Sequence, residues 1–163
     1  MKQLWAPWRA EYILGQKPSQ CIFCKDYSKD DTKELVLYRG KLAAVMMNKF
    51  PYNNGHLLVY PWRHTSLLED IEKEETLELF KLIKESVAIL KKEMNPGGFN
   101  IGMNLGKEAG AGIEEHLHFH IVPRWNGDTN FMPVIGEVRV LPEHLQATYD
   151  KLYPHFQKIK SIN

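Results

Sequence analysis

The 163-residue sequence has only two cysteines, no long apolar run and almost no excess charge, and each shortage removes a class of protein. Two cysteines are too few for a disulfide-stapled scaffold, and Cys21 and Cys24 stand in a C-x-x-C spacing that reads as metal ligation or redox chemistry before disulfide. With 11 glycines and 9 prolines the chain is neither collagen-like nor low in complexity. Apolar stretches such as Leu57-Leu58-Val59-Tyr60 fall far short of the roughly 20 residues that span a bilayer. A formal charge of +1 is too small for a protein that grips a nucleic-acid backbone by counterion release, which leaves a small anion as the natural partner. Trp5, Pro7, Trp8 and Arg9 interrupt the place where a secretory signal needs an apolar segment, so the expected location is the cytoplasm.

What remains is ordinary globular composition, 44% hydrophobic and 25% charged, enough for one domain over residues 1–163. Residues 1–20 read as an amino-terminal arm, 21–125 as the core and 126–163 as a tail that opens on the turn Asn126-Gly127-Asp128 and includes a short helix near 142–156. Leu35–Arg39 and Leu42–Met47 form a hairpin about Gly40-Lys41, and His56–Tyr60 is a third strand ended by Pro61. Phe80, Ile83, Val87, Leu90 and Met94 recur at steps of three and four, predicting a helix over 72–94 with Asp70 as N-cap, this stripe toward the core and its charges on a solvated face. Phe99–Asn104 and His116–Val122 complete the strands. Three strands, one long helix and two more strands lack the regular alternation of a parallel sheet, so the expected class is α+β with a mainly antiparallel five-stranded sheet.

His116-Leu117-His118-Phe119-His120-Ile121-Val122 alternates imidazole with apolar side chains, and a strand repeats every two residues, so three imidazoles share one face. Imidazole serves as metal ligand, as acid or base near neutrality, or as nucleophile. A structural zinc site needs four N or S ligands, and Cys21 and Cys24 supply two. The first histidine after Cys24 is His56, so the tertiary fold must bring the rest; His64 and His116 are the natural candidates. His144 and His155 read as surface residues, and Trp5, Trp8 and Trp125 as core packing or as stacking surfaces for a base or a subunit.

The histidine strand resembles the His-φ-His-φ-His-φ-φ motif of the histidine triad (HIT) superfamily. Asn48, then Gly55-His56, Pro61 and His64, resembles the nucleotide-binding segment of that family. Leu4–Arg9 and Pro123–Phe131 are similar to the bacterial branch that includes the diadenosine tetraphosphate (Ap4A) phosphorylases. The resemblance implies a HIT-like fold and a homodimer whose sheets join. It also implies nucleotidyl transfer at the α-phosphate of an adenine dinucleotide or mononucleotide, through a nucleotidyl-histidine intermediate on His118 that inorganic phosphate or water then cleaves. His120 and His56 would assist, Asn48 would meet the ribose, and Asn104 would stand near the phosphates. Cys21, Cys24, His64 and His116 would hold zinc.

Gly106–Gly112 precedes the histidine strand, and its amides, Gly110 and Gly112 among them, are candidates for an anion nest. Gly112 stands where many hydrolases of the family carry a polar side chain; the room it leaves favours phosphorolysis to ADP and ATP over hydrolysis. Two further readings stay open at this point: a nucleotide-binding module without turnover, and three histidines that ligate a single catalytic metal.

Overall fold

A computed structural model of the chain describes residues 21–24, 31–128 and 143–160. The expected arm over 1–20, with Trp5 and Trp8, and most of the tail segment before residue 143 lie outside these residues. The fold is α+β, as expected. A single helical turn, α1 (Asp31–Glu34), leads into β1 (Val36–Arg39), β2 (Ala43–Met47) and β3 (Leu57–Pro61). A 3-10 turn at Leu68–Asp70 precedes the long helix α2 (Lys73–Met94), followed by β4 (Gly98–Gly102), β5 (Phe119–Arg124) and α3 (Leu145–Phe156). All strand pairs are antiparallel, in the order β1-β2-β3-β5-β4. No helix among the described residues is long and apolar enough to cross a membrane.

Strand alternation divides the sheet into two faces with different tasks. Leu57 and Val59 of β3 and Ile121 of β5 join Ala43, Val45 and Met47 of β2 in the larger core, against Leu79, Leu82, Ile83 and Leu90 of α2 and Tyr149, Leu152 and Phe156 of α3. The intervening residues face the other way: Ala44, Met46, Leu58 and Tyr60 pack with Phe23 and Val36 in a second, smaller cluster. Leu58 pairs with His120, so the second face carries the imidazoles. The helices thus stiffen the sheet from behind the chemistry.

Three local expectations are corrected. Helix α2 takes Glu72, not Asp70, as its N-cap, because the Glu75 carboxylate accepts the Glu72 backbone N–H at 2.9 Å and closes a capping box. Of its expected stripe, Ile83 and Leu90 are in the core, joined by Leu79 and Leu82, and Val87 and Met94 pack against it, whereas Phe80 is 55% exposed with its ring in edge contact with Phe119. Its charges are not all solvated, because Glu75 and Glu78 are buried. Glu78 accepts the Lys41 and Leu42 amides at 2.8 and 2.9 Å and so closes the β1–β2 turn from the helix side. Gly40 is required there, since a Cβ would stand 2.0 Å from the Glu78 Oε1 atom. Glu75 holds Arg63 in a two-point pair of 2.7 and 3.1 Å, and this pair and the capping bond keep its carboxyl below the usual range.

Candidate active site

Ladder pairing of the histidine segment begins at Phe119, later than the expected start at His116. His116 to His118 form an irregular lead-in instead, with His116 in a bend and the Leu117 N–H donating to the Thr65 carbonyl at 2.7 Å. The alternation survives without the ladder. Leu117 is buried, and the rings of His118 and His120 lie 4.8 Å apart on the other side. The three histidines nevertheless do different things, and they do not converge on one metal.

His116 turns to the cysteines. One ligand atom from each of Cys21, Cys24, His64 and His116 lies within 4.8 Å of all the others, which unites the four residues chosen from the sequence. Cys24 Sγ is 3.1 Å from His64 Nδ1 and 3.4 Å from His116 Nδ1, and Cys21 Sγ is 3.4 Å from His116 Nδ1. Ligand–ligand separations of about 3.3–3.8 Å are what a tetrahedron with the usual metal–N and metal–S lengths requires. The outer contacts agree. His116 Nε2 lies 2.8 Å from the Pro61 carbonyl. A carbonyl has no hydrogen to give, so Nε2 donates and Nδ1 presents its lone pair to the sulfurs. Burial drives the His116 pKa down to about 4, which preserves the neutral ligand form. Partial burial and the neighbouring Cys21 push the Cys24 thiol up to about 11, so a metal entering the site must displace protons. The residues therefore fit a structural metal ion.

His118 and His120 define a second cluster whose protons can be followed atom by atom. His118 Nδ1 lies 2.8 Å from the His116 carbonyl and must donate to it, leaving the lone pair on Nε2. Burial lowers the His118 pKa and keeps that lone pair at neutral pH. The Tyr52 backbone N–H donates to His56 Nδ1 at 3.0 Å. His56 Nε2 then carries the proton and donates it to His120 Nδ1, 3.0 Å away, which leaves the remaining proton of neutral His120 on Nε2. Burial, then the nearby His118, holds the His120 pKa at about 4. One ring nitrogen with a lone pair thus neighbours a ring bearing an N–H, an arrangement that can supply nucleophile and donor.

The nucleotide-side candidates are placed less uniformly. Asn48 ends β2 beside His56, its Nδ2 3.4 Å from His56 Nδ1, while its Oδ1 accepts the Phe50 amide at 2.8 Å. It is therefore turn former and site neighbour at once. Asn104 Nδ2 donates to the Gly110 carbonyl at 3.3 Å and ties the glycine loop to the end of β4. Gly106 and Gly110 adopt φ of 79° and 83°, as a tight loop demands. The Gly110 N–H is bound to the Lys107 carbonyl at 2.9 Å, so in this conformation the loop does not offer that amide to an anion, and exposed Gly112 stands next to it. His144 is exposed, as expected, but His155 is half-buried, with Nε2 3.4 Å from Glu93. The Trp125 indole donates to the Met94 carbonyl at 3.3 Å, which favours packing over base stacking.

Two functional neighbours escaped the sequence reading. Tyr52 fixes the His56 tautomer through its amide and lays its ring 4.7 Å from that of His56 and 5.7 Å from that of His120. Asp128 accepts Arg124 at 2.7 Å and Asn53 Nδ2 at 2.7 Å, joining the loop before His56 to the end of β5. Pro51-Tyr52-Asn53-Asn54 and Asn126-Gly127-Asp128 are visible as turns in the sequence; their partnership requires the fold.

With this geometry in view, comparison with known proteins is informative. Residues 29–127 match the HIT domain family. A protein of Mycobacterium tuberculosis described as AP-4-A phosphorylase is 39% identical over 158 residues, spanning 91% of this chain and 80% of its own length. An uncharacterised HIT-like protein of Methanocaldococcus jannaschii is 34% identical across 73% of this chain and 89% of its own. Among solved structures, a Zn-bound histidine triad family protein from Mycobacterium smegmatis superposes with a TM-score of 0.66 at 25% identity, covering 85% of this chain and 94% of that one. Fold, histidine arrangement and sequence likeness agree, and the chain belongs to the HIT domain family.

Proposed function

We propose that the protein transfers a nucleotidyl group from an Ap4A-type adenine dinucleotide to inorganic phosphate, with His118 as the nucleophile. The observation that carries this reading is the His118 bond to the His116 carbonyl, which leaves the reactive lone pair on Nε2. The likeness to a protein described as AP-4-A phosphorylase supports the substrate class and the acceptor. In the first step Nε2 attacks the α-phosphorus, the phosphorus–oxygen bond to the leaving group breaks, and ATP departs with that oxygen. The His118 ring then bears positive character, which its Nδ1–H shares with the His116 carbonyl. In the second step a phosphate oxygen attacks the same phosphorus, the phosphorus–nitrogen bond breaks, and ADP leaves. Throughout, His120 presents its Nε2 hydrogen to phosphoryl oxygen, and His56 holds it in that tautomer. Asn48 serves the ribose, and Asn104 and Gly112 stand on the phosphate side.

Cys21, Cys24, His64 and His116 hold a structural zinc ion in this reading, supported by the two-sulfur, two-nitrogen donor set and by the Zn-bound relative. The ion's contribution is to fix the His116 backbone, whose carbonyl orients the nucleophile. A second copy of the chain is the partner. β4 lies at the sheet edge, and Ile101 on it is 47% exposed, so pairing would cover an open edge and an exposed apolar side chain together. Its small net charge and soluble composition accord with a cytoplasmic enzyme that binds neither nucleic acid nor membrane.

Incubation with Ap4A is expected to yield ADP and ATP only when phosphate is supplied, with a labelled nucleotide trapped on His118 when phosphate is withheld. His118→Ala should abolish the adduct and lower kcat by roughly 10³-fold or more. AMP released irrespective of phosphate would overturn phosphorolysis. The pH dependence follows from His120. Because its folded pKa is near 4 against an ordinary 6.5, kcat/KM should stay level as pH falls through 6.5 and decline only toward 4. Between those values the unfolded chain binds the proton and the native one does not, so urea-unfolding stability should also fall as pH is lowered through the window. An acid limb centred at 6.5 in formation of the His118 adduct, a step that uses no phosphate, would contradict the lowered His120 pKa. Elemental analysis should find about one zinc per chain, lost in Cys24→Ser and retained in His118→Ala. Sedimentation should give a dimer that Ile101→Glu converts to monomer; an unaltered dimer would place the contact elsewhere.

A further inference from the structure

Phe23, the apolar residue between the two cysteines, is fully buried although its neighbour Cys24 is exposed. Its ring reaches past the cysteine turn: the centroid lies 5.0 Å from that of His116, 4.9 Å from that of His118 and 4.5 Å from that of Tyr60. One side chain therefore touches both the histidine that completes the four-donor cluster and the histidine that carries the lone pair. The turn that aims it is tight, with the Cys24 N–H donating to the Cys21 carbonyl at 3.1 Å, so whatever fixes the cysteines also fixes the phenyl ring.

The His118 ring has one hydrogen bond that selects its orientation, from Nδ1 to the His116 carbonyl. Rotation about its Cβ–Cγ bond would bring a carbon to that carbonyl and misplace Nε2. Its aromatic neighbours are Phe23 and His120, the latter at 67° to it. His120 is itself held by His56, so the packing on His118 depends on Phe23 for the contact that belongs to neither the relay nor the ladder.

We propose that Phe23 is a positioning residue for the nucleophile: it transmits the order of the Cys21–Cys24 turn to the His118 ring and keeps Nε2 on the reacting phosphorus. This rests on the reading of His118 as nucleophile and deepens it, because the four-donor cluster then acts on the reaction rate through a side chain that is not one of its ligands. A displaced reacting atom costs rate more than binding, since about 1 Å of misplacement can cost on the order of 10²-fold.

The test compares Phe23→Leu and Phe23→Met, which keep an apolar side chain but lose the ring plane, with Val36→Ala, a cavity in the same cluster that does not touch His118. Four quantities are read on each full-length protein: zinc content, unfolding midpoint, the kcat and KM for Ap4A with phosphate, and the ¹⁵N chemical shifts of the His118 ring without substrate. The expected result for the Phe23 variants is zinc content equal to the parent, kcat lowered by about 10- to 100-fold, KM within about twofold, and His118 nitrogens averaged between two tautomers. Val36→Ala should lose stability while keeping kcat and a single His118 tautomer. Unchanged kcat in the Phe23 variants, or a fall in kcat with the tautomer intact or matched by Val36→Ala, would overturn the proposal. Should both Phe23 variants lose zinc or fail to fold, Phe23 belongs to the metal site or the core alone, and the proposal also falls. The ring spectra need no substrate, so a wild-type protein that forms no nucleotidyl adduct would refute the catalytic reading while this packing role is judged separately.

Discussion

One hydrogen bond, from an imidazole to the backbone carbonyl two residues before it, sets the proton arrangement of the histidine cluster. It places the His118 proton on Nδ1 and so leaves the other nitrogen able to form a bond. The bond needs the His116 backbone held in place, and several contacts hold it. The Leu117 amide is held by the Thr65 carbonyl, and the His116 ring is held by the Pro61 carbonyl on one side and two sulfurs on the other. Pro61 and Thr65 flank His64, and the intervening Arg63 is clamped to Glu75 at the start of α2. The end of β3 therefore positions the Cys/His cluster and the His118 ring together, and the long helix positions the end of β3.

The division of the sheet into two faces explains how such precision is reached in a small chain. Every apolar side chain toward α2 and α3 resists movement because interiors are packed as tightly as organic crystals. The opposite face carries the polar rings beside a second, smaller cluster that includes Phe23, Met46, Leu58 and Tyr60, so His56, His116 and His118 are buried as well. His56, His118 and His120 are held by hydrogen bonds to one another and to backbone, which suits groups that must stay neutral, keep a defined tautomer and remain within reach of a substrate.

Much of this was legible in the sequence because it depends on local pattern. The period of two through His116–Val122 placed the imidazoles on one side, the Gly40-Lys41 turn and Pro61 marked strand ends, and C-x-x-C with two distant histidines was enough to compose a metal-binding set. The errors are places where a partner distant in sequence decides the outcome. Phe80 fits the helical period but faces outward, because Leu79 and Ile83 fill the space above β2 and β3. Glu78 looks like any solvated glutamate until the β1–β2 turn, some forty residues earlier, offers it two amides. Asp70 is a good capping residue on paper, yet Glu75 reaches back to Glu72 and moves the cap two residues later. Tyr52 acts through its backbone, for which side-chain identity gives no signal at all.

The donor set at the four-residue cluster is spread across most of the described chain, with Cys21 and His116 separated by 95 positions. Bridging them with an ion would close a very large ring of polypeptide, and the entropy of such closure rises only slowly with ring size. The clasp can form only once β3 and β5 have paired, because the end of β3 leads to His64 and the approach to β5 delivers His116. Loading of the clasp would thus report completed topology, and its release would free the Cys21–Cys24 turn, with Phe23, from the ring that side chain rests on.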